Sequence, residues 1–159
     1  MKRIISALVV LLAAVFANAQ TIISHTTVIA KFGADYIEKV AYTNNKESYN
    51  AWLHKEDNKI ITSIKLSFAS KDDVVKCLSY LYKFDKGDGY LIDLETVNGN
   101  TAYSLGKTYV VKGEGQVGEV YVNRYTIGKL LNALGVSVYP NGKPAETNDD
   151  LYNNGKSLF

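Results

Sequence analysis

The stretch NKIITSIKLSFASKDDVVKCLSYLYK, residues 58–83, changes its hydrophobic period from that of a strand to that of a helix at Ser70. Before Ser70, every second residue is apolar or β-branched: Ile60, Thr62, Ile64, Leu66 and Phe68. A period of two places these side chains on the same face of an extended chain. Residues 58–69 are therefore predicted to form a strand with one apolar face.

After Ser70, the apolar residues follow the period of an α-helix over residues 71–83. The predicted apolar face consists of Val74, Val75, Leu78, Leu81 and Tyr82, with Cys77 beside them. Ser70 can cap the first turn, and Asp73 stands in the reciprocal position of a capping box. Acidic Asp72 and Asp73 at the start and basic Lys83 at the end agree with the helix dipole. The prediction is an amphipathic helix that directly follows the strand.

Three further strands are predicted before this stretch. They are TIISHTTVIAKF (residues 21–32), ADYIEKVAYT (residues 34–43) and ESYNAWLHK (residues 47–55). β-Branched and aromatic residues, which favour strands, are frequent in all three. Turn-forming residues separate the segments: Gly33, the pair Asn44 and Asn45, and residues 56–58. Successive strands with such short connections indicate antiparallel pairing.

A second set of strands and a second helix are predicted after residue 84. The strand candidates are GYLIDLET (residues 89–96), TAYSLGKTYVVK (residues 101–112) and GEVYVNRYT (residues 118–126). Asn98 and Gly99 predict a type I′ hairpin between the first two candidates. The short helix has Thr126 as its predicted cap and Gly135 as its C-terminal stop. Its apolar positions are Ile127, Leu130, Leu131 and Leu134.

These elements predict an α+β fold, mostly antiparallel β-sheet with one longer and one short helix packed on one face. Both helices follow a strand and precede another, so a duplicated strand-helix-strand unit is an alternative. We expect one domain over residues 20–139. Residues 140–159 contain Pro140 and Pro144 and few apolar side chains, which is typical of a flexible C-terminal tail.

Residues 1–19, MKRIISALVVLLAAVFANA, have the parts of a secretory signal peptide. Two basic residues precede an apolar run over residues 4–16, and Ala17 and Ala19 give the A-x-A cleavage pattern. The run is shorter than the roughly 20 residues that a helix needs to span a bilayer, although a retained anchor is the alternative. We predict a soluble, exported product without an integral membrane segment, located in the periplasm, on the cell surface or outside the cell.

Charge outside this leader is balanced. The chain has 18 Lys and Arg and 16 Asp and Glu, and the excess of two comes from Lys2 and Arg3. Arg124 is the only arginine after the leader. Nucleic-acid binding depends on clustered positive charge, so the sequence predicts no nucleic-acid partner.

The segment FDKGDGYLIDLE, residues 84–95, resembles the back half of a calcium-binding loop. With Asp88 at the fifth position of such a loop, Glu95 falls at the twelfth. The first and third positions are then Phe84 and Lys86, which offer calcium no side-chain oxygen. We interpret the segment as the turn that ends the first helix, and we predict neither a metal nor another cofactor.

Few residues are available for catalysis. His25 and His54 are the only histidines, and Cys77 is the only cysteine and shares the apolar helix face, as an inert core thiol would. Asp93 and Glu95 share a strand face at about 7 Å, but without a sign of a cleft they are interpreted as solvated. A small secreted hydrolase built on His54 or His25 is therefore kept as an alternative.

Alternation exposes aromatic residues beside polar ones on two predicted strands. In residues 48–55 one face carries Tyr49, Ala51 and Leu53, and the other carries Asn50, Trp52 and His54. In residues 118–126 one face carries Tyr121, Asn123 and Tyr125. Aromatic rings beside amide and imidazole groups can stack on sugars or anchor a protein partner. The predicted binding residues are Asn50, Trp52, His54, Tyr121, Asn123 and Tyr125, with cross-strand packing as the alternative interpretation.

The sequence thus predicts an exported, soluble binding or accessory module of the cell envelope or the extracellular space. Its expected partner is an envelope protein or a glycan, bound by the aromatic sheet face around Trp52. Besides the hydrolase, a structural or assembly component of the envelope is an alternative that would need neither a cleft nor an aromatic face.

Overall fold

The computed structural model, which describes residues 22–57, 60–113 and 115–138, contains two antiparallel sheets within these residues. The first sheet pairs β1 (Ile23–Phe32), β2 (Asp35–Tyr42), β3 (Glu47–Asp57) and β4 (Ile60–Phe68) in chain order, before helix α1 (Lys71–Lys83). The second pairs β5 (Leu91–Asp93), β6 (Thr101–Leu105), β7 (Thr108–Lys112) and β8 (Glu119–Asn123) in chain order, before helix α2 (Arg124–Ala133).

The predicted fold class, α+β with mostly antiparallel sheet, is confirmed. Helix α1 has 13 residues and α2 has 10, so a longer and a shorter helix are present as predicted. In the described part of the chain, the order of four strands and then a helix occurs twice. The unit that repeats is therefore larger than the strand-helix-strand unit considered from the sequence.

Helix α1 has the predicted bounds and the predicted cap. The Ser70 hydroxyl accepts a hydrogen bond from the Asp73 N–H at 3.2 Å and donates one to the Asp73 carboxylate at 2.7 Å. Ser70 is therefore the cap as predicted, but the reciprocal bond differs from that of a capping box, because the Asp73 carboxylate accepts from the Ser70 hydroxyl and not from the Ser70 backbone N–H. The amphipathic pattern is also confirmed, because Val74, Leu78 and Leu81 are buried.

Helix α2 begins earlier than predicted, which changes the setting of Tyr125. The N-cap is Asn123, whose side-chain oxygen accepts from the Thr126 N–H at 2.8 Å, and the helix begins at Arg124. Asparagine is at least as good an N-cap as threonine, so the prediction of Thr126 as the cap was wrong. Tyr125 therefore lies in the first helical turn and not on the strand that carries Tyr121.

Three predicted strand ends also differ in the structure. β3 continues to Asp57 because Glu56 and Asp57 pair with β4, whereas they were predicted as turn residues. The segment predicted as one strand over residues 101–112 is the hairpin of β6 and β7. Gly106 has φ +58° at the first position of the two-residue connection, which is the glycine position of a type II′ turn. β5 keeps only three residues of its candidate.

The turn at Asn98 and Gly99 is not of type I′. Gly99 has φ +66°, but Asn98 is absent from the described residues with positive φ, and a type I′ turn needs both. The Gly99 N–H instead bonds the Thr96 carbonyl at 3.2 Å. This geometry leaves the Asn98 side chain free to bond β4.

Side-chain amides from the second half of the chain close the free edge of β4. Gln116 accepts from the Lys65 N–H at 2.9 Å and donates to the Lys65 carbonyl at 3.0 Å. Asn98 accepts from the Ser67 N–H at 2.9 Å and donates to the Lys65 carbonyl at 2.8 Å. The Val97 N–H bonds the Ser67 carbonyl at 2.7 Å. Over residues 65–67 the backbone of this edge is therefore not available to another strand.

Both sheets and both helices contribute to one apolar core. Its largest fully buried side chains include Tyr109, Phe68 and Ile37. The Tyr109 hydroxyl donates to the Leu81 carbonyl of α1, which satisfies the polar end of the ring. The outer faces of the two sheets, opposite the core, are left for other contacts.

The predicted leader over residues 1–19 and tail over residues 140–159 lie outside the described residues. Within the described ranges, neither helix combines the length and apolar character that crossing a membrane requires.

Candidate binding site on the first sheet

The register of the first sheet brings polar and aromatic residues of three strands together on its outer face. Alternation in β3 is as predicted, because Ala51 and Leu53 are buried in the core while Asn50, Trp52 and His54 point outward and are half-buried. Asn50 stands opposite Glu38 of β2 and Ser67 of β4, and Trp52 opposite Tyr36 and Lys65, as the pairing shows.

A single carboxylate oxygen at the centre of this face accepts two hydrogen bonds. The Trp52 Nε1–H donates to Glu38 Oε1 at 2.8 Å, and the Asn50 Nδ2–H donates to the same atom at 2.9 Å. The Ser67 hydroxyl donates to Asn50 Oδ1 at 3.0 Å. In the described residues no group donates to the second oxygen, Glu38 Oε2. The network therefore fixes the carboxylate and leaves one of its oxygens as an acceptor.

The Trp52 ring is held from both neighbouring strands. The Tyr36 ring stacks beside it with centroids 6.3 Å apart and an interplanar angle of 25°. The Lys65 Nζ lies 5.9 Å from the centroid of the Trp52 ring, at the distance of a cation–π contact. Together with the bond to Glu38, these contacts fix the orientation of the indole. The cross-strand packing considered from the sequence is thus present on this face.

A cavity of about 600 Å³ opens beside this network and is called the Trp52 cavity below. Its apolar lining consists of Ile23, Val40, Phe68, Ala69 and Val97. Its polar and aromatic lining consists of Thr26, Glu38, Tyr42, Ser48, Asn50, Trp52, Lys65 and Ser67. The Tyr42 and Ser48 hydroxyls bond each other at 2.9 Å. The Trp52 cavity is an open depression on the sheet face, and its volume lies within the range of small-ligand sites.

His54 lies on the same face but outside the lining of the Trp52 cavity. The His54 backbone N–H donates to Asp35 Oδ1 at 2.7 Å, and the imidazole Nδ1 lies 3.5 Å from the same oxygen. Burial raises the pKa of the Asp35 carboxyl, although the contacts with His54 act in the opposite direction. The imidazole stacks on Tyr36 with centroids 5.7 Å apart. Of the predicted residues on β3, Asn50 and Trp52 line the cavity and His54 supports Tyr36.

The other predicted group lies at a different cavity. Tyr121, Asn123 and Tyr125 line a second cavity of about 610 Å³, which shares no residue with the Trp52 cavity. Asn123 is occupied as the cap of α2. The Tyr125 ring packs edge-on against Phe32 with centroids 5.6 Å apart. The six predicted binding residues therefore do not form one surface.

Tyr121 is the exposed member of this group, with 45% of its surface accessible. Its hydroxyl donates to Glu119 Oε1 at 2.9 Å within the same strand. The Lys55 Nζ lies 5.0 Å from the centroid of its ring. These contacts involve long, flexible side chains at the rim of the second sheet, so they fix the ring less firmly than the network around Trp52.

The remaining candidates of the sequence lie elsewhere. His25 is an exposed residue of β1 that pairs with Ala41. Cys77 is buried, and burial, together with the nearby Glu95 charge, raises the pKa of its thiol to about 12. The Asp88 carboxylate of the calcium-loop segment accepts from the Gly106 N–H. Within the described ranges, no three His, Cys, Asp or Glu residues are grouped so that they could hold a metal ion.

Sequence reasoning missed Glu38, Tyr36 and Ser67. Tyr36 and Glu38 alternate in the predicted second strand, so their shared face was readable from the sequence. Their position opposite Trp52 and Asn50 depends on the hairpin register, which the turn at Asn45 sets and alternation alone does not.

No protein-family model, no curated protein and no solved structure matches this chain. The geometry of the site therefore carries the functional argument.

Proposed function

We propose that this protein is an exported, soluble binding module of the cell envelope or the extracellular space, and that it holds a glycan in the Trp52 cavity. The observation that carries the proposal is the Glu38 carboxylate, oriented by Trp52 and Asn50 at the wall of a cavity of about 600 Å³.

The polar groups of the cavity suit a ligand with many hydroxyls. Glu38 Oε2 can accept a hydrogen bond from a ligand hydroxyl, and a bond to an ionised acceptor is stronger than one between neutral groups. The Lys65 ammonium can donate to another hydroxyl. Because a sugar hydroxyl both donates and accepts, a glycan can use both kinds of group.

The apolar groups of the cavity suit the faces of a sugar ring. The Trp52 indole offers apolar surface directly beside its polar N–H, and Ile23, which is 57% exposed, adds aliphatic surface from β1. A pyranose presents C–H groups on its faces and hydroxyls at its edge. The lining therefore matches the division of polar and apolar atoms in a sugar.

The site is also ordered before the ligand arrives. Trp52, Asn50 and Glu38 hold one another through hydrogen bonds across two strands, and Ser67 extends the network to a third. Side chains that are fixed in advance lose little conformational entropy on binding. Because these side chains project from strands, their positions are more precise than those of side chains on loops, which favours specific recognition.

The test is retention of polysaccharide by the immobilised protein, expressed from the full chain. Fractionated envelope and secreted polysaccharides are passed over the wild type and over Glu38→Gln and Trp52→Ala. Glu38→Gln keeps the shape of the side chain but removes its charge, and we expect a loss of retention of about tenfold. Trp52→Ala is expected to abolish retention.

Tyr121→Ala is the matched control, because it removes an exposed aromatic ring from the outer face of the other sheet. It should retain glycan as the wild type does. Equal retention by all four proteins, or none by the wild type, would contradict the proposal. Retention of a protein in place of a glycan, lost with Trp52→Ala, would leave a binding module but refute the glycan.

A further inference from the structure

The edge strand β5 presents backbone hydrogen-bonding groups away from its sheet. β5 pairs only with β6 in the described part of the chain. Tyr90 accepts and Leu94 donates backbone bonds to the β6 side of the ladder at 3.1 and 3.2 Å. Bonded and non-bonded pairs alternate in an antiparallel ladder, so Ile92 shares that orientation. Leu91 and Asp93 therefore direct their N–H and C=O groups outward.

A cleft of about 550 Å³ runs along this edge, between β5 and helix α1. Asp73, Lys76 and Tyr80 of α1 form one wall. The other wall, residues 91–95, includes both core-facing and solvent-facing side chains of β5. Because both faces of the strand border it, the cleft lies along the edge of β5 and not over one face of the sheet.

The outer edges of β4 and β5, the strands that precede and follow helix α1 in the chain, differ. The edge of β4 is occupied by the amides of Asn98 and Gln116. At β5, the helix stands off and leaves the cleft. An extended chain between a strand edge and a helix can add a strand to the sheet while its alternate side chains contact the helix.

The charge of the cleft selects the kind of chain that fits. Asp73, Asp93 and Glu95 border it with the single cation Lys76, which lies 3.8 Å from Asp73. Asp93 accepts the Glu95 N–H at 2.9 Å, and no group of the described residues donates to the Glu95 carboxylate. The net negative charge is complementary to Lys or Arg in the incoming segment. Tyr80, 52% exposed, adds an aromatic contact.

We propose that this cleft binds an extended, basic peptide segment of a partner protein, which adds to the second sheet as a strand beside β5. Leu91 and Asp93 supply the backbone bonds, and the acidic side chains select lysine or arginine at alternate positions. The site is separate from the Trp52 cavity, so the two proposals stand or fall independently.

The probe is a fluorescein-labelled peptide in which Lys alternates with Val, capped at both ends, and binding is measured by fluorescence anisotropy with protein expressed from the full chain. A peptide in which Glu alternates with Val is the charge control. We expect saturable binding of the basic peptide, weakened by salt, and none of the acidic one.

Leu91→Pro removes the outward N–H, and Leu91→Ala keeps it. Because Leu91 does not bond β6, proline is compatible with an edge strand there. We expect Leu91→Pro to weaken binding about fivefold to tenfold relative to Leu91→Ala. The double variant Asp93→Asn with Glu95→Gln should weaken binding and reduce its salt dependence, which tests the charge without altering the strand.

Trp52 is the only tryptophan of the chain, so its emission reports separately on the other cavity. Under the proposal, the basic peptide leaves Trp52 emission unchanged. The proposal is overturned if the basic peptide does not bind, if Leu91→Pro binds as well as Leu91→Ala, or if the charge double variant binds as the wild type does.

Discussion

The outer faces of the two sheets both carry aromatic rings beside polar side chains, but only on the first sheet does a network of side-chain hydrogen bonds between strands hold a ring in place. Around Trp52, hydrogen bonds link three strands, and the two donated by Trp52 and Asn50 end on Glu38. Around Tyr121, the hydroxyl bonds Glu119 two residues earlier on the same strand. The first arrangement depends on hydrogen bonds between strands, whereas on the second face the hydrogen bond of the ring joins two residues of one strand and the contacts with other strands come from the lysines Lys55 and Lys112.

This difference shows what separates a built site from an aromatic surface. Both faces have alternating aromatic and polar residues, and both have a lysine over a ring, Lys65 at Trp52 and Lys55 at Tyr121. On the second face the carboxylate is Glu119, which bonds Tyr121 of its own strand and lies 3.4 Å from the flexible Lys112 ammonium of β7. What that face lacks is a carboxylate oxygen that accepts from two side chains of a neighbouring strand, as Glu38 Oε1 does. Such a group orients the rings and offers a fixed acceptor to a ligand.

The largest expected effect is on stability when each ring is removed. Trp52→Ala removes a half-buried ring with a hydrogen bond and two ring contacts, and we expect a loss of about 2–3 kcal/mol in the free energy of unfolding. Tyr121→Ala should cost less than about 1 kcal/mol, because its contacts are exposed. Urea unfolding followed by circular dichroism measures both, since Trp52→Ala has no tryptophan emission. Equal losses would remove the distinction between the faces.

Removal of a carboxylate should also lower the free energy of unfolding more on the first sheet than on the second, but the difference should be smaller than for the rings. Glu38→Ala leaves the Trp52 and Asn50 donors without their acceptor, which should cost about 1–2 kcal/mol. Glu38→Gln retains an oxygen that can accept and should cost less. Glu119→Ala, on the exposed face, should change the free energy of unfolding by less than about 0.5 kcal/mol. If Glu119→Ala proved as costly as Glu38→Ala, the network would have no special role.

The smallest expected effects concern how the free energy of unfolding depends on pH. One carboxyl group on each sheet, Asp35 and Glu119, should contribute to this dependence with opposite signs. Burial raises the pKa of Asp35 above its ordinary value of 3.8. At pH values between 3.8 and the raised pKa of the folded state, the folded state binds more protons than the unfolded state. The free energy of unfolding therefore falls as the pH rises through this range. Asp35→Asn retains an acceptor for the His54 N–H and should remove that fall, as urea unfolding at several pH values can show.

Glu119 should show the reverse sign. Its hydrogen bond from Tyr121, with further contributions from Lys112, lowers its pKa below the ordinary value of 4.5. Its contribution to stability is therefore present above pH 4.5 and is lost as the pH falls through the lowered value. Glu119→Gln should flatten the acid limb of the stability curve. Changes of the same sign for Asp35→Asn and Glu119→Gln would contradict this account.

The sequence was sufficient where local patterns decide the structure. Alternation in β3 and β4 and the cap at Ser70 follow from period and side-chain chemistry over a few residues, and the structure confirms them. At α2, two residues with similar capping ability competed, and Asn123 capped the helix in place of Thr126. At Gly106, a two-residue turn lies inside the segment TAYSLGKTYVVK, which was predicted as one strand because a single glycine marks the turn.

The site itself was only half predictable. Trp52 and Asn50 were found because their strand alternates, but Glu38 lies on another strand. Its place opposite Asn50 depends on the pairing register, and a shift by one residue would turn Glu38 toward the core. The edge bonds from Asn98 and Gln116 to β4 are likewise long-range contacts that no local pattern contains.

The most direct test of the account is the emission of Trp52 during titration of the wild-type protein with the oligosaccharide recovered from the retained polysaccharide. As the only tryptophan of the chain, Trp52 reports its own surroundings without interference. The account predicts a saturable change in emission intensity and wavelength, with weaker affinity in Glu38→Gln and unchanged affinity in Tyr121→Ala. Binding of the oligosaccharide with constant Trp52 emission would place the ligand elsewhere and contradict it.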